Sequence, residues 1–174
     1  FELVTAIFAM DDFELRKDWD CRKQNCFNTD LLSVISATDF LTACTLLSTF
    51  KKGGTVSCKK KDVLNLTKAE YVAYSDDLSK GFIEAENILA EERVFSGRDL
   101  PYTTQLIPLA VLCTLLSEHN RIKITNIKDK LKKWYWNGVF GEMYGGANET
   151  RYVNDVVGVM AWIDDDSALP KTVQ

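Results

Sequence analysis

Apolar residues recur along this chain mostly at spacings of three and four rather than two, the period of helices with one face turned inward. Only three prolines and nine glycines interrupt 174 residues, so the pattern predicts an almost entirely helical fold. Residues 1–9 and 12–24 read as a first helical pair around Asp11-Asp12, with Phe13, Leu15 and Trp19 as inward candidates. Another apolar run begins near Thr29. Thr38-Asp39 then opens a buried helix carrying Phe40, Leu41, Ala43, Cys44, Leu46, Leu47 and Phe50, which leaves through Lys51-Lys52-Gly53-Gly54 as helix exits prefer. Thr55-Val56-Ser57-Cys58 is the one short β-like alternation, and Lys61 to Leu64 fits a single helical turn.

Thr67-Lys68-Ala69-Glu70 matches a capping box, a hydroxyl residue with Glu three positions on. A long helix should start there, with its apolar seam at Tyr71, Ser75, Leu78, Phe82, Ala85 and Leu89. Gly81 costs such a helix about 1 kcal/mol relative to alanine, which predicts close approach of a neighbour at that point. The helix should stop by Ser96-Gly97. The most apolar segment, Thr103 to Ser117, should run through the centre, and Pro108 places its regular start at or just before Ile107. Thr125 or Asn126 should cap a helix through Leu131, Trp134, Tyr135, Trp136, Val139, Phe140, Met143 and Tyr144. Its C-terminal half is apolar all round and so should be buried, with Gly138 and Gly141 as notches for another helix. Asn148 should cap a last helix with Tyr152, Val153, Val156, Val157, Met160 and Ile163 on one face, and Asp164 to Gln174 reads as irregular. The expected fold is all-α: one compact helical domain over residues 1–174, of about seven helices, with little or no β structure.

Size agrees with that reading, since a chain of 174 residues buries roughly 70% of its unfolded surface and can support one sizeable core. Charge and chemistry narrow the function classes. Twenty-one basic against 25 acidic residues leave a net charge of −4, which implies no dominant polyanion-binding role but permits a local basic face. His119 is the only histidine, so a two-histidine zinc site and an HNH-type nuclease centre are both excluded within these residues. No catalytic residue, metal ligand or cofactor site is expected here. Five scattered cysteines read as reduced thiols of a cytoplasmic protein, and no stretch has the pattern of a signal peptide or membrane span. The chain opens at Phe1 in mid-pattern and reads as part of a longer protein.

Four constellations stand out. Lys128, Lys130, Lys132 and Lys133 precede Trp134-Tyr135-Trp136, a mix of cations and aromatics that could hold a nucleic-acid backbone and stack a base. The alternative is a solvated lysine face with the aromatics in the core. Lys59, Lys60 and Lys61, with Lys51 and Lys52, make a second basic patch around a Gly-Gly loop. Gly145 to Arg151 resembles a glycine-rich turn entering a helix, but it lacks the P-loop spacing and lysine, and Glu149 would repel phosphate. Glu142, Glu149, Arg151 and Asp155 are expected instead to form a structural charge network that fixes a helix crossing. Paired carboxylates such as Asp76-Asp77 lack the context that would split their pKa values for acid–base work.

Leu100-Pro101-Tyr102, Leu106-Ile107-Pro108-Leu109-Ala110, Leu131-Lys132-Lys133-Trp134-Tyr135-Trp136, Phe140-Gly141-Glu142-Met143-Tyr144 and Asn148-Glu149-Thr150-Arg151 through Asp155 together resemble the helical region of GmrS-like proteins. Thr38-Asp39-Phe40-Leu41 and the Gly81-Phe82 helix also fit that region. The resemblance implies a bacterial restriction or phage-defence protein of the GmrSD type. In that family an N-terminal ParB/sulfiredoxin-like domain uses nucleoside triphosphate with Mg, and a separate HNH module cuts DNA. The family's Asp-Gly-Gln-Gln-Arg signature has no match in this chain, so no catalytic role carries over to any residue. What the resemblance implies is a non-catalytic helical domain linking the nucleotide-using domain to effector or DNA contacts. The alternative is a DNA-binding module that uses the Lys/Trp-rich helix.

Overall fold

The computed structural model describes residues 1–146 and 148–174. Among them are eight α-helices and no strand: α1 (Glu2–Ala9), α2 (Leu15–Asn25), α3 (Ala37–Lys52), α4 (Lys60–Leu64), α5 (Lys68–Glu91), α6 (Leu106–Ser117), α7 (Thr125–Phe140) and α8 (Glu149–Asp164). Three short 3₁₀ turns, at Leu32–Val34, Thr103–Gln105 and Glu118–Lys123, fill corners between them. The expected all-α class holds, and the eighth helix is the single turn α4.

The core is organised around α6. Every side chain from Leu106 to Leu116 is buried, and α3, α5 and α8 pack against this helix. Pro108 falls in the first turn, where its missing N–H leaves no intrahelical bond unmade. The α5–α6 crossing is close because Gly81 has no side chain: a Cβ there would lie 2.6 Å from the Ala110 carbonyl oxygen. A second aromatic centre joins Phe8 and Phe13 to Tyr71, and Trp19 and Phe27 to Phe40 and Phe82, with ring centroids 5.4–6.1 Å apart. It pins the first helical pair onto α3 and α5.

Reciprocal capping boxes open α5 at Thr67/Glu70, as the sequence suggests, and α3 at Ser36/Asp39, with the cap two residues before Thr38. α8 follows Asn148 as expected, whereas the residue before α7 is Ile124 rather than Thr125 or Asn126, and neither helix has a side-chain cap: the Asn148 amide reaches Thr104 Oγ1 and the Tyr144 carbonyl instead, each at 3.3 Å. The β-like tetrapeptide finds no partner strand. Thr49 of α3 satisfies it from the side, its Oγ1 donating to the Ser57 carbonyl at 2.9 Å and accepting from the Ser57 N–H at 3.2 Å.

Three expectations for α7 are corrected. The helix ends at Phe140 rather than Tyr144, because Glu142 adopts a left-handed φ of 53° and turns Tyr144 back into the core. Its C-terminal half is therefore not buried all round: Phe140 is 78% exposed, and Trp136 and Val139 are only half-buried. The notch at Gly138 receives the side chains of Gln105 and Tyr144, not another helix, and Gly141 faces Met143 of its own turn. After α8, residues 165–174 run back along that helix without regular structure.

Candidate functional site

The lysines of α7 diverge to two flanks. Lys128, Lys132 and Trp136 recur every four residues and so line one stripe, which meets the acidic end of α5. Lys128 Nζ lies 3.1 Å from Glu91, and Lys132 Nζ lies 2.8 Å from Glu91 and 3.0 Å from Glu92. The Trp136 indole N–H donates to Glu92 at 3.0 Å. Hydrogen bonds from Lys132 and Lys128 hold the Glu91 carboxyl below its ordinary range, and those from Trp136 and Lys132 do the same for Glu92. Glu91 and Glu92 in turn raise Lys132.

The other flank faces α8. Lys130 is buried, and its ammonium donates to the Trp162 carbonyl at 2.7 Å and to Asp166 at 2.5 Å while lying 5.1 Å from the Trp162 ring centroid. Lys133 approaches the same ring at 5.9 Å. Three of the four lysines thus face carboxylates. Trp134 and Tyr135 belong to the core, whereas Phe140 stacks on Trp136 at 5.7 Å and 24° on the surface.

The second basic patch also divides. Lys51 pairs with Glu118 and Lys52 with Glu70, while Lys59, Lys60 and Lys61 stand exposed at the head of α4.

Asp155 is the buried member of the expected network around the α7–α8 connection, and its partners are hydroxyls. Tyr144 and Thr172 each donate to one carboxylate oxygen. Burial pushes Asp155 above the ordinary aspartate value, against the opposing effects of Thr172, Tyr144 and the nearby Arg151. Burial and the Asp155 charge push the Tyr144 hydroxyl well above its usual value. Among the described residues Arg151 forms no ion pair with Glu142, Glu149 or Asp155. Glu142 is exposed, and the Glu149 backbone carbonyl accepts from Cys58 Sγ at 3.7 Å. The glycine-rich turn includes Ala147, which lies outside the described residues.

One polar hub carries no strong sequence signal. Arg22 of α2 bonds Asp18 at 2.7 Å and Asp76 at 2.8 Å, donates to the Ser75 and Ser79 hydroxyls of α5, and lies 5.9 Å from the Phe40 and Tyr71 rings. Tyr71 closes the hub by donating to Asp18 at 2.5 Å. Burial opposes the guanidinium charge, but Asp18 and Asp76 outweigh it and hold Arg22 above its ordinary value. The available hints were Asp18 four residues before Arg22 and a serine in the apolar seam of α5.

The surface carries open grooves. One of them, about 760 Å³ between α1 and α2, is lined by Ala9, Asp12, Phe13, Glu14, Arg16 and Asp20. Among the described residues no three His, Cys, Asp or Glu side chains are grouped as metal ligands, and no helix is long and apolar enough to cross a membrane.

No family model matches the chain, and no solved structure matches it. A stretch of 46 residues is 39% identical to the uncharacterized protein MJ0686 of Methanocaldococcus jannaschii, covering 26% of this chain and 8% of that protein.

Proposed function

We propose that this chain is a non-catalytic helical domain of a GmrS-like restriction or phage-defence protein, connecting a nucleotide-using domain to effector or DNA contacts. The observation that carries the reading is the use made of the interior charges. Arg22 ties α2 to α5, Lys130 ties α7 to the chain beyond α8, and Asp155 ties α8 to residues 165–174. Each cross-links separate segments of the chain. Such ties suit a rigid spacer that keeps its neighbours in fixed relation. In this reading nucleoside triphosphate and Mg are handled by a ParB/sulfiredoxin-like domain and DNA cleavage by an HNH module, both outside this chain, in the cytoplasm. The purified chain, given nucleoside triphosphate, Mg and plasmid DNA, should release no phosphate and make no nick. Turnover that scales with the purified chain would overturn the proposal.

A second reading, a DNA-binding module, has one observation in its favour: the exposed Phe140–Trp136 stack offers a π-face on the helix that carries Lys133. Its electrostatic part is weak, because Lys128, Lys130 and Lys132 already face carboxylates and release few counterions on binding. Binding to single-stranded DNA that is lost in both Phe140→Ala and Lys133→Ala would favour this reading, whereas no binding at low salt would end it.

A further inference from the structure

A cavity of about 160 Å³ lies where α3, α4 and the first turn of α5 meet. Thr45, Ser48, Thr49 and Lys52 recur at spacings of three and four, so α3 gives a whole stripe to its wall. Asp62 of α4 and Glu70 of α5 complete the lining from the other side. Thr45 and Ser48 are each only 1% exposed, which makes this wall part of the protein interior.

The threonine hydroxyl protons on this wall are already engaged. Thr45 donates to the Leu41 carbonyl at 2.8 Å, and Thr49 donates to the Ser57 carbonyl at 2.9 Å. Both therefore present acceptors only. Ser48 differs: its Oγ is sealed from bulk water and closes no hydrogen bond among the described residues. Leaving a buried hydroxyl unpaired is costly, so a wall that holds one in that state calls for a partner from outside the chain.

Charge sets the kind of partner. Lys52 pairs with Glu70, whose other carboxylate oxygen accepts from the Thr67 N–H at 2.9 Å. Asp62 accepts from the Ser57 hydroxyl at 2.5 Å and meets no cation among the described residues. One ammonium against two carboxylates leaves the cavity one negative charge in excess, on walls rich in acceptors.

We propose that this cavity binds a guanidinium group. Asp62 supplies the countercharge, and the Thr45, Ser48 and Thr49 oxygens accept its N–H bonds. The volume holds about five water-sized groups, which a planar five-donor fork fills and a lone ammonium does not. The site goes beyond the spacer reading and stands or falls apart from it, because binding here requires no turnover.

Methylguanidinium chloride, titrated into the purified chain at constant ionic strength, should move the Ser48 and Thr49 amide resonances along a saturating NMR curve. For so small a ligand the dissociation constant should be on the order of a millimolar. Tetramethylammonium, which has the same charge but no N–H, should move neither resonance. Asp62→Asn keeps an acceptor for Ser57 and should weaken methylguanidinium binding about tenfold. N-acetyl-arginine methylamide separates the two sources of such a group. Binding at least as tight as that of methylguanidinium points to an arginine of a partner protein; methylguanidinium binding without it points to a free small molecule. Shifts that fail to saturate, equal shifts with tetramethylammonium, or an Asp62→Asn protein that binds as tightly as the wild type would each overturn the proposal.

Discussion

Gly81 of α5 and Thr114 of α6 meet at the helix crossing so closely that a single methyl group cannot fit between them. Its carbon would lie 2.6 Å from the Ala110 carbonyl oxygen and nearer still to Thr114 Oγ1, which is itself held by a 2.8 Å bond to the same carbonyl. Gly81→Ala should therefore destabilise the protein by about 2–3 kcal/mol, despite adding about 1 kcal/mol of helix propensity. Urea denaturation compares the two proteins. Equal or higher stability in the variant would show that the helices can separate without loss.

Glu70 contributes stability with a definite pH sign. Burial pushes its carboxyl up, but Lys52 and the Thr67 N–H outweigh burial and leave it below its ordinary value. The contribution is complete above the unfolded value of about 4.3 and is lost as pH falls through the lower folded value. Glu70→Gln, which keeps the acceptor but removes the charge, should cost about 0.5–1 kcal/mol at neutral pH. The difference should close as pH falls through the lowered folded value, below which both side chains are neutral. Thermal melts across that range provide the check, and a gap that persists in acid would contradict the ion-pair account.

His119 and Asn120 both have left-handed backbone, with φ of 62° and 56°, in the connection between α6 and α7. A side chain costs about 1–2 kcal/mol in that conformation, and asparagine tolerates it better than histidine. After subtracting the greater unfolded-state entropy of glycine, His119→Gly should stabilise by about 0.5–1 kcal/mol and raise Tm by about 2 °C. Asn120→Gly should gain less. Calorimetry on the two variants tests the order.

The cysteines divide by accessibility. Burial pushes the Cys44 and Cys58 thiols up to about 12 and Cys113 higher still, whereas Cys21 is exposed. A disulfide reagent added to the native protein at neutral pH should modify Cys21 first, leaving those three thiols unreactive until urea unfolds the chain. Rapid native labelling of Cys113 would mean that the centre of the fold opens readily.

Features written within a turn or two of sequence were legible from the residues. The α5 capping box, its seam from Tyr71 to Leu89 and the close approach at Gly81 depend on spacings inside one helix and occur as expected. The limits of α7 were not, because Tyr144 is drawn inward only once Gln105 and Asp155 are in place to meet it. The lysine cluster hid its organisation for a related reason. Lys128 and Lys132 share a stripe that spacing reveals, but Glu91 and Glu92 lie on another helix, and nothing local announces that the two will meet. Asp155 and Arg151 are neighbours by helical period, yet the buried carboxylate takes its hydrogen bonds from a loop tyrosine and a threonine beyond α8 that only the tertiary fold delivers.

The enclosure of α6 has a consequence for motion. A helix whose side chains are buried from Leu106 to Leu116 has no face from which it can fray independently or loosen in part. Its interior amides should trade hydrogen for deuterium only when the whole molecule comes apart. The slowest-exchanging amides of this one segment would then read out the free energy of global unfolding directly, and they would register damage inflicted anywhere in the fold.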